Sequence, residues 1–254
     1  MRPADLKRAA LKASRMQPKR EVFSFEYQGK CYWLKRSRAT GSNLLHHAAW
    51  RLSGLPLLTP VKRQSPHAAL QHESRKLRRL GEKGINVPKV FLVTESFFVM
   101  EDTGKNFPAV IRDGLLEEGP QSYAPLFRQL GHLHRSGEYH GGSQLRNFTY
   151  RDGCVSLIDF EENFGENIPL ETLQFRDLFL LLFSLAKDRH PVDYAAMTDL
   201  YAETSGNDWA REHLRQFAEK VAPLGKIIAF PPLWKLLDKD TKATYRLIGE
   251  LQRL

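Results

Sequence analysis

The stretch His140-Gly-Gly-Ser-Gln-Leu-Arg-Asn147 and the later run Leu157-Ile-Asp-Phe160 decide how this chain is interpreted. Between them lie two β-rich runs around an Asp-Gly pair, a pattern that favours a tight hairpin over 148–158. A hairpin there would bring Asn147 and Asp159 together. Amide and carboxylate oxygens are ligands that Mg²⁺ accepts beside phosphate oxygens. The spacing therefore predicts a magnesium-nucleotide site, and an ordinary surface hairpin is the alternative that this stretch alone leaves open.

Two charged residues upstream support the first interpretation. The β-rich runs 21–27 and 31–35 are joined by a Gln-Gly-Lys turn, and Lys35 stands at the end of the second run. Glu73 lies in a helical pattern over 68–81. A lysine at a strand end can reach nucleotide phosphates, and an ion pair with Glu73 would hold its amine in place. Taken alone such residues are usually solvated, so their order ahead of the loop at 140 carries the interpretation.

This order of residues resembles the protein-kinase-like superfamily and, within it, the bacterial lipopolysaccharide core kinases that act on 3-deoxy-D-manno-octulosonic acid or heptose. The resemblance covers roughly residues 21 to 187. It implies an α+β, two-lobed fold, with a small β-rich N-lobe that carries a Glu-bearing helix and a mainly helical C-lobe. The expected division is 1–102 for the N-lobe, including a basic N-terminal helix, and 103–254 for the C-lobe with the catalytic loop.

The resemblance also implies ATP and Mg²⁺ as cofactors and gives each residue a role. Lys35 would touch the α and β phosphates while paired with Glu73, and Asp177 would brace the catalytic loop from its helix. Adenine would contact the segment formed by Met100, Glu101 and Asp102. The metal ligands would be Asn147 and Asp159.

Two further residues of the loop have alternative roles. His140 is a candidate base, but a ring that buttresses the loop by hydrogen bonds is the favoured interpretation. Arg146 is a candidate phosphate ligand, with an exposed loop arginine as the plain alternative.

The chain departs from the family pattern in two places. Gly142 stands where a kinase loop carries its catalytic Asp, a base that contributes about 10²- to 10⁴-fold. Glu161 or Glu162, just past Asp159, would be a relocated base. The second departure is the lack of a glycine-rich phosphate loop before Lys35, because the segment 4–16 has helical propensity instead.

Charge is distributed unevenly along the chain. Residues 1–90 hold 20 Lys and Arg against 5 Asp and Glu, whereas the remainder holds 18 against 24. Such a basic half attracts an anionic saccharide, lipid or nucleic acid, and a solubilising surface is the alternative. Residues 2–20 would form a weak interfacial helix on anionic lipid. We expect no specific DNA binding.

Composition places the chain among globular proteins. No apolar run reaches the length of a membrane span and no signal peptide is recognised, so we expect a cytoplasmic protein, with peripheral contact at the inner membrane left open. Cys31 and Cys154 fall in predicted strands and are expected to be buried thiols without a disulfide. Further elements are predicted at 41–59, 97–100, 125–135, 173–187, 208–221 and 233–251.

Three functional classes follow. The first is an ATP-dependent kinase of a lipopolysaccharide-core saccharide or a related small-molecule hydroxyl. The second is a pseudokinase or nucleotide-binding scaffold, favoured by Gly142 and the missing glycine-rich loop. The third is a module for anionic lipid or RNA that acts through the basic N-lobe.

Overall fold

The computed structural model describes residues 2–41, 56, 59–116, 119–165, 167–228 and 238–254. It divides the chain into two compact units, the first comprising Met1–Lys105 with Thr149–Ile168 and the second comprising Asn106–Phe148 with Pro169–Leu254. The first unit contains a small antiparallel sheet and the second is mainly helical. The predicted α+β class is therefore confirmed, and the content of the units is consistent with a kinase-like two-lobed fold. The first unit includes residues 149–168, which the sequence prediction placed with the C-lobe.

A four-stranded antiparallel sheet organises the first unit, in the order β1-β2-β4-β3. Gln28 and Gly29 connect the first two strands with φ of 51° and 71°, values that match the favoured two-residue hairpin turn. The strand β4 is buried along four of its five residues, as its apolar sequence predicts. The strands are β1 Val22–Tyr27, β2 Lys30–Arg36, β3 Val90–Val93 and β4 Phe97–Glu101.

The N-terminal helix α1 (Pro3–Met16) covers one face of this sheet. Leu6 and Ala10 are buried against Phe23, Tyr32 and Leu34. The apolar side of the helix is thus used in the core, although the helix was considered as an interfacial anchor. Because side chains alternate along a strand, the residue after Leu34 projects from the opposite face of the sheet.

The second helix, α2 (Pro66–Glu82), begins two residues before the helical pattern predicted over 68–81. The Ser65 side chain accepts a hydrogen bond from the Ala68 N–H, and Pro66 occupies the first helical position. Its buried face carries leucines and, among them, Glu73, which is 3% exposed. The predicted helix at 41–59 lies almost wholly outside the described residues.

A short sheet contains the predicted hairpin in the order β5-β6-β7, with β5 Lys105–Asn106, β6 Phe148–Arg151 and β7 Cys154–Leu157. Asp152 and Gly153 form its turn with φ of 49° and 85°. The expectation of buried thiols is wrong, because Cys31 and Cys154 are both exposed. Cys31 is the second residue of β2 and Cys154 is the first residue of β7, so each lies at a strand end next to a hairpin turn.

The second unit is built from helices around α5 (Leu170–Asp188), whose apolar residues are largely buried. Gly131 allows the helices α4 (Ala124–Arg135) and α6 (Tyr194–Ser205) to approach closely, because a Cβ there would lie 2.7 Å from Thr204 Cβ. The helix α6 had no counterpart among the predicted elements. The other helices are α3 Phe107–Arg112, α4 Ala124–Arg135, α6 Tyr194–Ser205, α7 Ala210–Ile228 and α8 Lys239–Leu251. Among the described residues, no helix has both the length and the apolar character that a membrane span needs.

Candidate active site

Lys35 is the centre of a buried charge cluster in the first unit. It projects from the sheet face opposite Leu34, towards α2 and the segment after β7. Its Nζ lies 2.8 Å from Glu73 Oε1 and 2.5 Å from Asp159 Oδ1. Glu161 Oε2 lies 3.4 Å from the same nitrogen. The structure therefore brings together Lys35, Glu73 and Asp159, three of the predicted site residues that are far apart in sequence.

The surrounding carboxylates keep Lys35 charged. Burial lowers the pKa of Lys35, but Glu73, Asp159 and Glu161 together raise it above its ordinary value. Burial raises the pKa of Glu73, and the Lys35 ammonium offsets part of that effect. An ammonium held this way is a fixed positive charge at neutral pH, the form needed to bind phosphate.

Arg38 is a second cation in the cluster, and it was not predicted. Its guanidinium forms a bidentate pair with Glu161, in which Nε lies 3.2 Å from Oε2 and Nη2 contacts Oε1. This hydrogen bond raises the pKa of Arg38 above its ordinary value. Arg38 also contacts Glu21 at 3.4 Å, so four carboxylates face two cations in this cluster.

Asp159 is held in an unusual backbone conformation. Its φ is 69°, in the left-handed region that residues with side chains seldom adopt, at a cost of order 1 kcal/mol or more. Its side chain is one-third exposed, more than that of Lys35 or Glu73. Carboxylate oxygens of Asp159, Glu73 and Glu161 lie within 4.8 Å of one another. These are the hard oxygen donors that suit Mg²⁺, and Asp159 is the most accessible of them.

The predicted catalytic loop belongs to the second unit and is fixed by Asp177 of α5. The backbone N–H groups of His140 and Gly141 donate to the Asp177 carboxylate at 2.6 and 2.9 Å. Ser143 Oγ donates to the Asp177 carbonyl oxygen at 2.5 Å. Burial alone would raise the pKa of Asp177, but its hydrogen bond to His134 and nearby positive charge hold the pKa below its ordinary value.

The His140 ring is a part of the loop's own scaffold. It is fully buried, and its Nδ1 accepts a hydrogen bond from the Gly142 N–H at 3.1 Å. This geometry is that of a buttress, the interpretation favoured from the sequence. Arg146 is exposed on the short helical turn Leu145–Asn147.

Asn147 is oriented by the same loop. Its Nδ2 donates to the Gly142 carbonyl oxygen at 2.7 Å, and the side chain is 7% exposed. Within the described part of the chain no hydrogen bond engages Oδ1, the atom that a cation would need. Asn147 lies in the second unit and Asp159 in the first, so their joint role as metal ligands stays a prediction.

The segment predicted to meet adenine is closely hydrogen-bonded within the first unit. The Glu101 N–H donates to the Lys89 carbonyl oxygen at 2.9 Å, and Arg151 contacts the Asp102 carbonyl oxygen. Trp33 Nε1 donates to Asp102 Oδ1 at 3.1 Å. Backbone groups of Glu101 and Asp102 are therefore already paired, in addition to the pairing of Met100 and Glu101 within the sheet, and the contact with adenine stays a prediction.

Several supporting residues were missed by the sequence reasoning. His134 and Tyr201 form a buried chain, in which His134 Nδ1 lies 2.6 Å from the Tyr201 hydroxyl and Nε2 lies 3.3 Å from Asp177. His134 lies in the helix predicted over 125–135, but no role in the site was predicted for it. A histidine on the buried face of that helix was the available signal, whereas Tyr201 lies on the unpredicted helix α6.

Comparison with known proteins supports a kinase-like chain. No family model matches the sequence. An uncharacterized protein of Haemophilus influenzae is 26% identical over 187 residues, which are 72% of this chain and 70% of that protein. The KEOPS complex subunit Bud32 of Pyrococcus abyssi is 30% identical over 147 residues, which are 55% of this chain and 66% of Bud32, just under two thirds of its length. The similarity to Bud32, an atypical protein-kinase-like protein, supports a place in the kinase-like superfamily.

Proposed function

We propose that this protein is an Mg²⁺- and ATP-dependent phosphotransferase that acts on a hydroxyl of a lipopolysaccharide-core saccharide or a related small molecule. The observation that carries the proposal is the buried cluster in which Lys35 contacts both Glu73 and Asp159. Lys35 is only 7% exposed and is held by carboxylates from two separate segments of the chain, which distinguishes it from a solvated surface lysine.

Each residue has a distinct task in this proposal. Lys35, positioned by Glu73, binds phosphate oxygens of ATP, and Asp159 with Asn147 would hold the Mg²⁺ that neutralises them. Bound Mg²⁺ supplies charge stabilisation. Asp177 keeps the loop at 140 rigid through its two backbone hydrogen bonds. Positioning and charge account for most of phosphoryl-transfer catalysis, so this set is the essential one.

The acceptor proposal draws on charge and on the resemblance. The first 90 residues carry a large excess of cations, which would attract a phosphorylated or carboxylated saccharide before contact. Location at the cytoplasmic side of an inner membrane, where such acceptors are built into lipids, belongs to the same proposal. The apolar face of α1 is covered by the sheet, so any membrane contact would rest on charge.

A catalytically weak pseudokinase is the second candidate, and the loop favours it specifically. Gly142 offers no carboxylate at the position of the usual base. Glu161, considered as a relocated base, is paired with Arg38 and lies near Lys35. Both oxygens of that carboxylate are engaged by cations, Oε1 by Arg38 and Oε2 by Arg38 and Lys35. Glu162 then remains the stronger candidate for a relocated base.

Restoring the missing carboxylate distinguishes the two candidates. Transfer from labelled ATP to dephosphorylated lipopolysaccharide core would be measured for the parent, Gly142→Asp and Gly142→Ala, the last as the control for side-chain volume. We expect slow transfer by the parent and a rise of tenfold or more for Gly142→Asp alone. Undetectable transfer by all three proteins, with ATP still bound, would assign the chain to the pseudokinase class.

A further inference from the structure

A second concave site lies along the helix α2, and its residues differ from those of the nucleotide cluster. Its volume is about 720 Å³, within the range of small-molecule sites. The helix turns Glu73 towards Lys35, whereas this concavity is lined by other residues of the same helix and by the loop before it. The lining consists of Gln64, His67, Ala68, Gln71, His72, Arg75, Lys76 and Arg79.

Positive charge is concentrated in this lining. Arg75 and Arg79 are exposed and stand four residues apart on α2, a spacing at which like charges repel by a few tenths of a kcal/mol. Lys76 lies between them in sequence and is buried, and its Nζ is 5.3 Å from the centre of the Phe160 ring. No acidic side chain occurs among the described residues that line the concavity. Two exposed arginines one helical turn apart beside a hollow favour an anionic occupant.

His72 adds a hydrogen-bond acceptor. The His72 ring is hydrogen-bonded to the backbone of Glu162. Because this bond favours the protonated form of the ring, the ring nitrogen is the donor and the Glu162 carbonyl oxygen is the acceptor.

The remaining ring nitrogen has no partner in the described structure. His72 Nε2 is buried and unpaired, so the bond to Glu162 uses Nδ1–H and Nε2 keeps its lone pair. A buried acceptor without a donor costs roughly 1–3 kcal/mol. A ligand hydroxyl would satisfy it, whereas a bare phosphate oxygen would not.

We propose that this concavity binds a compact, hydroxyl-bearing polyanion, such as a phosphorylated polyol. Arg75 and Arg79 pair with its phosphate groups, and a hydroxyl donates to His72 Nε2. The amides of Gln64 and Gln71 offer further hydrogen bonds to hydroxyl groups. A single-stranded nucleic acid is disfavoured because, among the described lining residues, no Phe, Tyr or Trp offers a stacking surface. A membrane is disfavoured because the surface is concave.

Calorimetry with inositol trisphosphate tests the site, since this probe carries both phosphates and free hydroxyls. We expect Arg75→Gln with Arg79→Gln to weaken binding at least 30-fold. Arg78→Gln is the matched control, because Arg78 is exposed on the same helix and absent from the lining. It should change affinity less than threefold. His72→Phe should weaken inositol trisphosphate but leave inorganic tripolyphosphate unchanged.

Several results would overturn the proposal. The first is that the parent does not bind inositol trisphosphate. The second is that Arg78→Gln and the double variant lose affinity for the probe to the same extent. The third is that the parent binds RNA oligonucleotides or anionic vesicles more tightly than the probe. ATP carries the same kinds of group, so binding is also measured with saturating Mg·ATP. Retained probe binding there, and in Lys35→Met, supports two separate sites whether or not the protein transfers phosphate. Displacement of inositol trisphosphate by Mg·ATP would contradict two separate sites.

Discussion

Single residues around Lys35 show how far apart in sequence a site is assembled. Glu73 was predicted as the ion-pair partner of Lys35 and contacts it, whereas Asp159, predicted as a metal ligand with Asn147, contacts Lys35 without having been predicted to do so. Arg38 was not predicted, because its partner Glu161 is 123 residues away and neither residue belongs to a short motif. Local sequence carries no information on such a pairing until the fold is known.

Replacing Lys35 should show how far the buried carboxylates lower the free energy of unfolding once their counter-charge is removed. In Lys35→Met the buried Glu73 loses its counter-charge and faces Asp159 and Glu161, so we expect a loss of about 3 kcal/mol in the free energy of unfolding at pH 7. Without the ammonium the pKa of Glu73 rises further above its unfolded value, so stability falls as pH rises through that range. Urea unfolding at pH 5 and pH 8 should show the larger deficit at pH 8. Lys30→Met, exposed on the same strand, should show neither effect.

Asp177 should contribute stability with the opposite pH dependence. Its pKa is lowered in the folded protein, so its contribution is present above the unfolded value near 4 and is lost as pH falls through the folded value. Asp177→Asn places an amide against the N–H donors of His140 and Gly141, and we expect a loss of about 3 kcal/mol at pH 7. The gap to the parent should narrow at pH 3. A constant gap from pH 3 to pH 7 would contradict the assigned charge.

At the scale of elements, the hairpins and the charged helix α2 could be predicted because their signals are local. Gln28-Gly29 and Asp152-Gly153 are turn pairs, and Ser65 with Pro66 marks a helix start. The helix α6 could not be predicted this way, because its apolar residues are not gathered on one face. Its packing depends on α4, far earlier in the chain.

The close approach of α4 and α6 gives a paired prediction. Gly131→Ala places a Cβ 2.7 Å from Thr204 Cβ, and overpacking should cost about 1–3 kcal/mol of unfolding free energy. Gly249→Ala in α8 meets nothing within 4 Å and should stabilise by up to about 1 kcal/mol through helix propensity. Thermal unfolding would compare them. A similar shift in both variants would contradict the packing described between α4 and α6.

At the scale of the whole molecule, composition and motif order predict the α+β class, and the similarity to Bud32 agrees with them. The prediction that the Cys31 and Cys154 thiols are buried was wrong, because strand assignment alone does not say which strand ends are covered. The excess of cations in residues 1–90 indicates an anionic partner but does not show where on the protein that partner binds. The basic concavity along α2 depends on which arginines share one side of a helix and on an unpaired histidine nitrogen.

Mg²⁺-dependent ATP binding, measured by calorimetry, tests the central claim most directly. We predict that the parent binds Mg·ATP with a Kd below about 1 mM, equivalent to more than about 4 kcal/mol of binding free energy. Lys35→Met should weaken binding at least tenfold, and Asp159→Asn should remove its dependence on Mg²⁺, while the controls Lys30→Met and Asp152→Asn bind as the parent does. Absence of ATP binding by the parent, or equal binding by all five proteins, would contradict a nucleotide site at Lys35 and Asp159.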